Sequence, residues 1–176
     1  MHFNLGGKTY CLFFSNFGKY LFPKNMRFEL YGANNLNFVE FNITGNPDLF
    51  QRCDKDSFYM DTDIFNLFSE CFERSNNLFD YFGPTKYNPR NIVVLLNELK
   101  NSHSIIGKTR SLSQFMDFVS DKFMGSNFVL ELEKTDKNWR LNWELYGAKL
   151  LELVQQLISL VNRCMDEEKT LWVIGY

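Results

Sequence analysis

The chain has 176 residues, 45% hydrophobic and 23% charged, with 19 phenylalanines and a formal net charge of -2. A chain of this size buries roughly 70% of the surface its unfolded form exposes, so it needs neither disulfides nor a structural metal to fold. Its isoelectric point near 5.7, without a basic stripe, excludes a general nucleic-acid binder, which must neutralise several phosphates with clustered Lys or Arg.

The first part reads as strands. Lys8–Phe14 and Lys19–Phe22 flank the turn Ser15-Asn16-Phe17-Gly18, and Arg27–Tyr31 and Leu36–Ile43 flank Gly32-Ala33-Asn34-Asn35. In the last of these, Val39, Phe41 and Ile43 share one face and Leu36 and Phe38 the other, the pattern of a central strand covered on both sides. From Asp61 the period becomes helical through Ile64, Phe65, Phe68, Cys71 and Phe72, ending at Asn76-Asn77. The loop Leu78–Tyr87, with Gly83-Pro84, is the most flexible point expected.

Asn88-Pro89 starts a second helix that stops near Asn101-Ser102, because Asn caps and Pro suits the first helical position. Ser111 or Ser113 caps a third, closed by Gly125. Asn127–Glu133 alternates and reads as a strand. A long helix runs from Trp139 or Asn142 to Cys164, with an apolar stripe wide enough for several contacts. Thr170–Tyr176 is a closing strand that returns between neighbours. The expected fold is α+β, a single domain over residues 1–176. Its mixed or mostly antiparallel sheet combines N-terminal hairpins with strands near 127–133 and 170–176, packed with about four helices.

The stretch CDKDSFYMDTDIF, Cys53 to Phe65, concentrates the acidic chemistry. A calcium loop counted from Asp54 would place Phe58, Tyr59 and Phe65 where an oxygen ligand, Gly and Glu are required, which excludes it. Asp61-Thr62-Asp63 matches the opening of haloacid-dehalogenase-type phosphotransferases, but SFYM is a poor strand and no supporting Lys loop or second acidic motif follows. Asp61 and Asp63 suit an N-cap and a first-turn acid. Across residues 48–80 eight acids face three bases, a local charge near -5 that can steer a basic partner.

Other chemistries lack their residues. Only His2 and His103 could serve a nucleophilic triad, and His103 reads as an exposed loop residue. Gly6-Gly7-Lys8-Thr9 lacks the first Gly, the strand and the helix of a phosphate loop. Cys11, Cys53, Cys71 and Cys164 show no CxxC spacing and read as reduced, mostly buried thiols. No signal peptide is visible and no run approaches the ~20 apolar residues of a membrane span. A soluble cytoplasmic protein with no catalytic residues, metal or cofactor is expected. Trp139, in the polar segment TDKNWR, is the candidate exposed anchor, and Trp143 a core residue.

Asp54, Asp56, Asp61, Asp63, Glu70 and Glu73 are the candidate partner-binding acids, with Trp139 as a separate candidate contact, and across its whole length the chain resembles bacterial immunity proteins of contact-dependent growth inhibition. The resemblance is one of type: small, acidic, from an AT-rich gene, with no shared motif. It implies a cytoplasmic inhibitor that covers the active site of a cognate toxin, usually a basic nuclease, without touching nucleic acid or membrane itself. Two other classes stay open: a metal-dependent hydrolase or nucleotide-binding domain using Asp61 and Asp63, and an oligomeric structural or phage-type protein.

Overall fold

The computed structural model describes residues 4–5, 8–9, 26–30, 38–46, 48–50 and 52–175, with side chains from residue 26 onward. Its strands are β1 (Asn4–Leu5), β2 (Lys8–Thr9), β3 (Phe38–Asn42), β4 (Phe58–Asp61), β5 (Pro84–Tyr87) and β6 (Leu171–Ile174). Its helices are α1 (Thr62–Phe65), α2 (Ser69–Ser75), α3 (Pro89–Gly107), α4 (Leu112–Ser120), α5 (Gly125–Thr135) and α6 (Trp143–Asp166). The main sheet has the order β4-β3-β6-β5, every neighbour antiparallel, and β1 pairs with β2. The fold is thus α+β, as expected, with β3 inside the sheet and the closing strand β6 between β3 and β5.

The register sorts the sheet into two faces. Phe41 opposes Phe58 and Val173, Val39 opposes Met60, and Leu171 opposes Tyr87; these side chains join the hydrophobic core. There α3 packs on α6 and on α2, burying Leu95, Leu99, Leu150, Leu153, Val154 and Leu157. The opposite face carries Phe38, Glu40 and Asn42 from β3, Tyr59 from β4 and Trp172 from β6.

Several segments differ from the reading above. Asn127–Glu133 is not a strand but the middle of α5: Phe128 and Leu132, four apart, are buried, while Leu130 is exposed. Seven residues satisfy both periods, and the Glu, Leu and Lys content decides for helix. Pro84–Tyr87, expected to be loop, is strand β5. It lies at the sheet's edge, where a leading proline costs no ladder bond. Phe58–Tyr59–Met60, expected to be a poor strand, pairs fully with β3. Arg27–Leu30 forms no strand; Phe28 packs against Phe128 and Tyr146, and the Leu30 N–H donates to Gln156 Oε1 at 3.0 Å. The expected strands Lys8–Phe14 and Lys19–Phe22 lie outside the described residues apart from Lys8–Thr9.

Helix α3 runs past Asn101-Ser102 because Ile106 continues the stripe of Leu95 and Leu99 into the core, and His103 is therefore helical and half-buried. The first expected helix is broken at Asn66–Phe68, where Leu67 and Phe68 donate to Ile64 and Phe65 in tight three-residue turns. Gly125 opens α5 rather than closing α4. Met124 before it sits at φ 52, and a Cβ on Gly125 would lie 1.9 Å from the Val119 carbonyl oxygen.

Two glycine substitutions should therefore have opposite signs. Gly125→Ala should lower the unfolding free energy by about 2–3 kcal/mol, because the obstacle is backbone. Gly147→Ala, inside α6 with only a 4.0 Å contact to Phe115, should raise it by roughly 0.5–1 kcal/mol. Urea unfolding followed by circular dichroism measures both.

Candidate functional site

The polar face of the sheet explains the first half of the acidic stretch. Glu40 and Asn42 are fully buried, and burying such groups is costly without hydrogen bonds. Glu40 Oε2 accepts from the Cys53 N–H at 3.0 Å; Asn42 donates to Ser57 Oγ at 3.1 Å and accepts from the Gly45 N–H at 3.0 Å. The chain between β3 and β4 is thereby folded back over this face. Trp172 Nε1 donates to the Asn46 carbonyl at 3.1 Å while its ring packs on Phe50 at 4.7 Å.

Asp54 organises the return. Its carboxylate accepts from the Asp56 N–H at 3.0 Å and from the Thr44 hydroxyl, and these bonds hold its pKa below the ordinary 3.8. Its carbonyl accepts from the Tyr59 hydroxyl at 2.9 Å. Burial, then the Glu40 carboxylate, pushes that phenol well above its usual range. Asp56 is exposed beside it.

Asp61 and Asp63 stand at the other end of β4, whose four extended residues span roughly 10 Å. Asp61, only 5% exposed, caps α1 by accepting from the Asp63 N–H at 3.3 Å. Asp63 is the first-turn acid of α1. The carboxylates of 53–63 are therefore two groups with a strand between them. Among the described residues no three His, Cys, Asp or Glu side chains are placed to hold a metal ion.

The Asp61 end is continuous with α2. Glu70 bridges Arg74 at 3.2 Å and Lys122 at 3.4 Å, whereas Glu73 is exposed. Burial, then the carboxylates of Glu73 and Asp63, pushes the Tyr81 phenol up to about 12. Tyr81 donates to Asn66 Oδ1. Phe82 and Phe123 stand edge-on to Tyr81, at centroid distances of 5.2 and 5.3 Å. Sequence reasoning missed these rings. The available signal was the apolar pair Tyr81-Phe82 inside a turn segment, where no period buries it.

Trp139 is not an exposed anchor. It is 1% exposed, lies in the core, and carries the Arg140 guanidinium 4.9 Å over its ring. The turn of residues 136–142 folds inward because Asp136 accepts from the Asn138 N–H, from Asn142 and from the Tyr146 hydroxyl. Trp143 packs half-buried against the core.

The thiols offer poor nucleophiles. Cys71, 3.2 Å from the Ser102 hydroxyl, and Cys164 are buried; burial pushes Cys164 up to about 11 and raises Cys71 as well. Among the described residues no helix is long and apolar enough to cross a membrane. No protein-family model, no curated protein and no solved structure matches this chain.

Two substitutions separate architecture from interface. Asp54→Asn should destabilise by about 1–2 kcal/mol near neutral pH. Its pKa is depressed in the fold, so the carboxylate's contribution is present above the ordinary value and disappears as pH falls through the lower folded value. The difference from wild type should thus shrink in denaturant titrations as pH is lowered below the ordinary carboxylate range. Trp139→Ala should cost about 3–5 kcal/mol in the same assay, as a core truncation does.

Proposed function

We propose that this chain works by binding a basic protein, as an inhibitor of the toxin-immunity type. The observation that carries the reading is the arrangement at the Asp61 end. Asp63 is the first-turn acid of α1, Glu73 is exposed on α2, Glu70 is held by Arg74 and Lys122, Asp80 adjoins Tyr81 in the chain, and Asp121 pairs with Lys122. These acids sit on α1, α2, the turn before β5 and the end of α4, and among the described residues no three are placed to hold a metal ion.

Such an array suits association more than bond chemistry. Separated carboxylates on a rigid scaffold complement the basic, phosphate-binding active site of a nuclease and accelerate encounter. Asp61, the residue a metal-using enzyme would need, is instead engaged in capping α1. The acids at Asp54 and Asp56 belong to the loop that covers the sheet, which supports the Asp63 and Glu73 end as the binding surface.

The test uses the polypeptide encoded by the reading frame adjoining this chain's gene. Co-expressed, the two should elute as one complex, and growth arrest by that polypeptide alone should be relieved. Glu73→Lys combined with Asp121→Lys should slow association roughly ten-fold at low salt and less at high salt. No complex and no protection would overturn the proposal. Heat on titrating magnesium or manganese, lost in Asp61→Asn/Asp63→Asn, would favour a carboxylate-metal enzyme instead.

A further inference from the structure

Exposed apolar residues are ordinary when single, as at Leu49, Leu78 and Leu141. The surface around Tyr81 is different. Two segments about forty residues apart in sequence, 80–83 and 122–124, bring Phe82, 79% exposed, and Phe123, 49% exposed, edge-on against one tyrosine ring. Met124, also exposed, adjoins them through its sulfur, 3.8 Å from Asn66 Nδ2, the same amide whose oxygen receives the Tyr81 hydroxyl.

The cluster is held rigidly. The Phe82 N–H donates to Asp80 Oδ1 at 3.0 Å, the Asp80 N–H donates to Thr85 Oγ1 at 2.8 Å, and the Gly175 N–H at the end of β6 donates to the Gly83 carbonyl at 3.3 Å. A Cβ on Gly175 would lie 1.9 Å from the Tyr81 carbonyl oxygen, so the turn is pressed against the chain end of β6. Rigid aromatic side chains lose little entropy on being covered, which is why such residues dominate binding hot spots.

Charge identifies the occupant. Asp80 opens the first segment and accepts from the Phe82 N–H, Asp121 immediately precedes the second, and Glu70 of α2 reaches Lys122 in it. Asn66, which follows α1 and its acid Asp63, touches both Tyr81 and Met124. The nearby cations are already engaged: Lys122 by Glu70 and Asp121, Arg74 by Glu70 and Glu98. Aromatic faces are the negative side of the ring quadrupole, so a guanidinium or ammonium is attracted by rings and carboxylates together.

We propose that the Tyr81, Phe82, Phe123 and Met124 patch is the anchor for the basic partner, seating an arginine-bearing segment of that protein between the rings and the surrounding carboxylates. This rests on the protein-binding reading above and adds where the partner docks and what it presents.

A phage-displayed random dodecapeptide library tests it. Selection on the wild-type chain should enrich arginine-containing sequences. These should bind Phe82→Ser/Phe123→Ser roughly ten-fold or more weakly, and Leu141→Ser unchanged. Both variants alter exposed positions, and their unfolding midpoints should match wild type. Failure to enrich, enrichment of sequences without basic residues, or equal binding to the Phe82→Ser/Phe123→Ser variant would overturn the proposal. If the adjoining polypeptide still binds that double variant with wild-type affinity yet loses association rate in Glu73→Lys/Asp121→Lys, this patch is excluded while the protein-binding reading stands.

Discussion

Strand β3 is covered on both sides, and its two sides are chemically unlike. Val39 and Phe41 enter the helical core, while Glu40 and Asn42 are buried on the reverse face among backbone amides and hydroxyls. An unmade hydrogen bond there would cost the full desolvation of a polar group. The chain between β3 and β4 therefore has little freedom: it must return over β3 with Cys53, Ser57 and Gly45 facing those two side chains. The acidic turn at Asp54 is a product of this requirement, and so is the direction in which β4 delivers Asp61 and Asp63 to the far end of the sheet.

That geometry divides one sequence motif into two physical roles. Near Asp54 the carboxylate is internal currency, exchanged for turn hydrogen bonds that fix a loop. Beyond β4, Asp61 starts a helix, and Asp63 and Glu73 set the potential around an exposed ring cluster. In protein interfaces generally, carboxylates chiefly govern encounter and selection, whereas buried aromatic area supplies affinity. The two kinds of contribution meet at Tyr81, whose edge serves Phe82 and Phe123 and whose hydroxyl is tied to Asn66.

Much of this fold is legible in the residues, for identifiable reasons. The inward and outward alternation of Val39 and Phe41 marks a strand, and Asn88-Pro89 and Ser111 act as caps, accepting from the amides of Arg90, Asn91 and Gln114. The wide stripe of α6 announces its burial. What misleads is short or compensated sequence. Residues 127–133 fit two periods until Leu130 is seen outside and Leu132 inside, and Pro84 reads as a breaker unless its strand is known to lie at an edge. Trp139 looks exposed because its neighbours are polar, yet Asp136 satisfies that turn and turns the indole inward. Asp54 and Asp56 share a composition with Asp61 and Asp63 but not a place, and nothing short of the β3–β4 register separates them. The ring cluster is hidden for the opposite reason, since Phe82 and Phe123 are joined only by tertiary contact.

Pro84 has one more effect. An outer strand normally offers amide protons and carbonyls to any passing extended chain, and long, flat, unprotected edges seed fibrous self-assembly. Here the outer strand is four residues long, begins with an imide that has no proton to give, and sends its first solvent-facing side chains out as Pro84 and Lys86. The same residue that hides β5 from a reader of the sequence blunts that border against recruiting further copies.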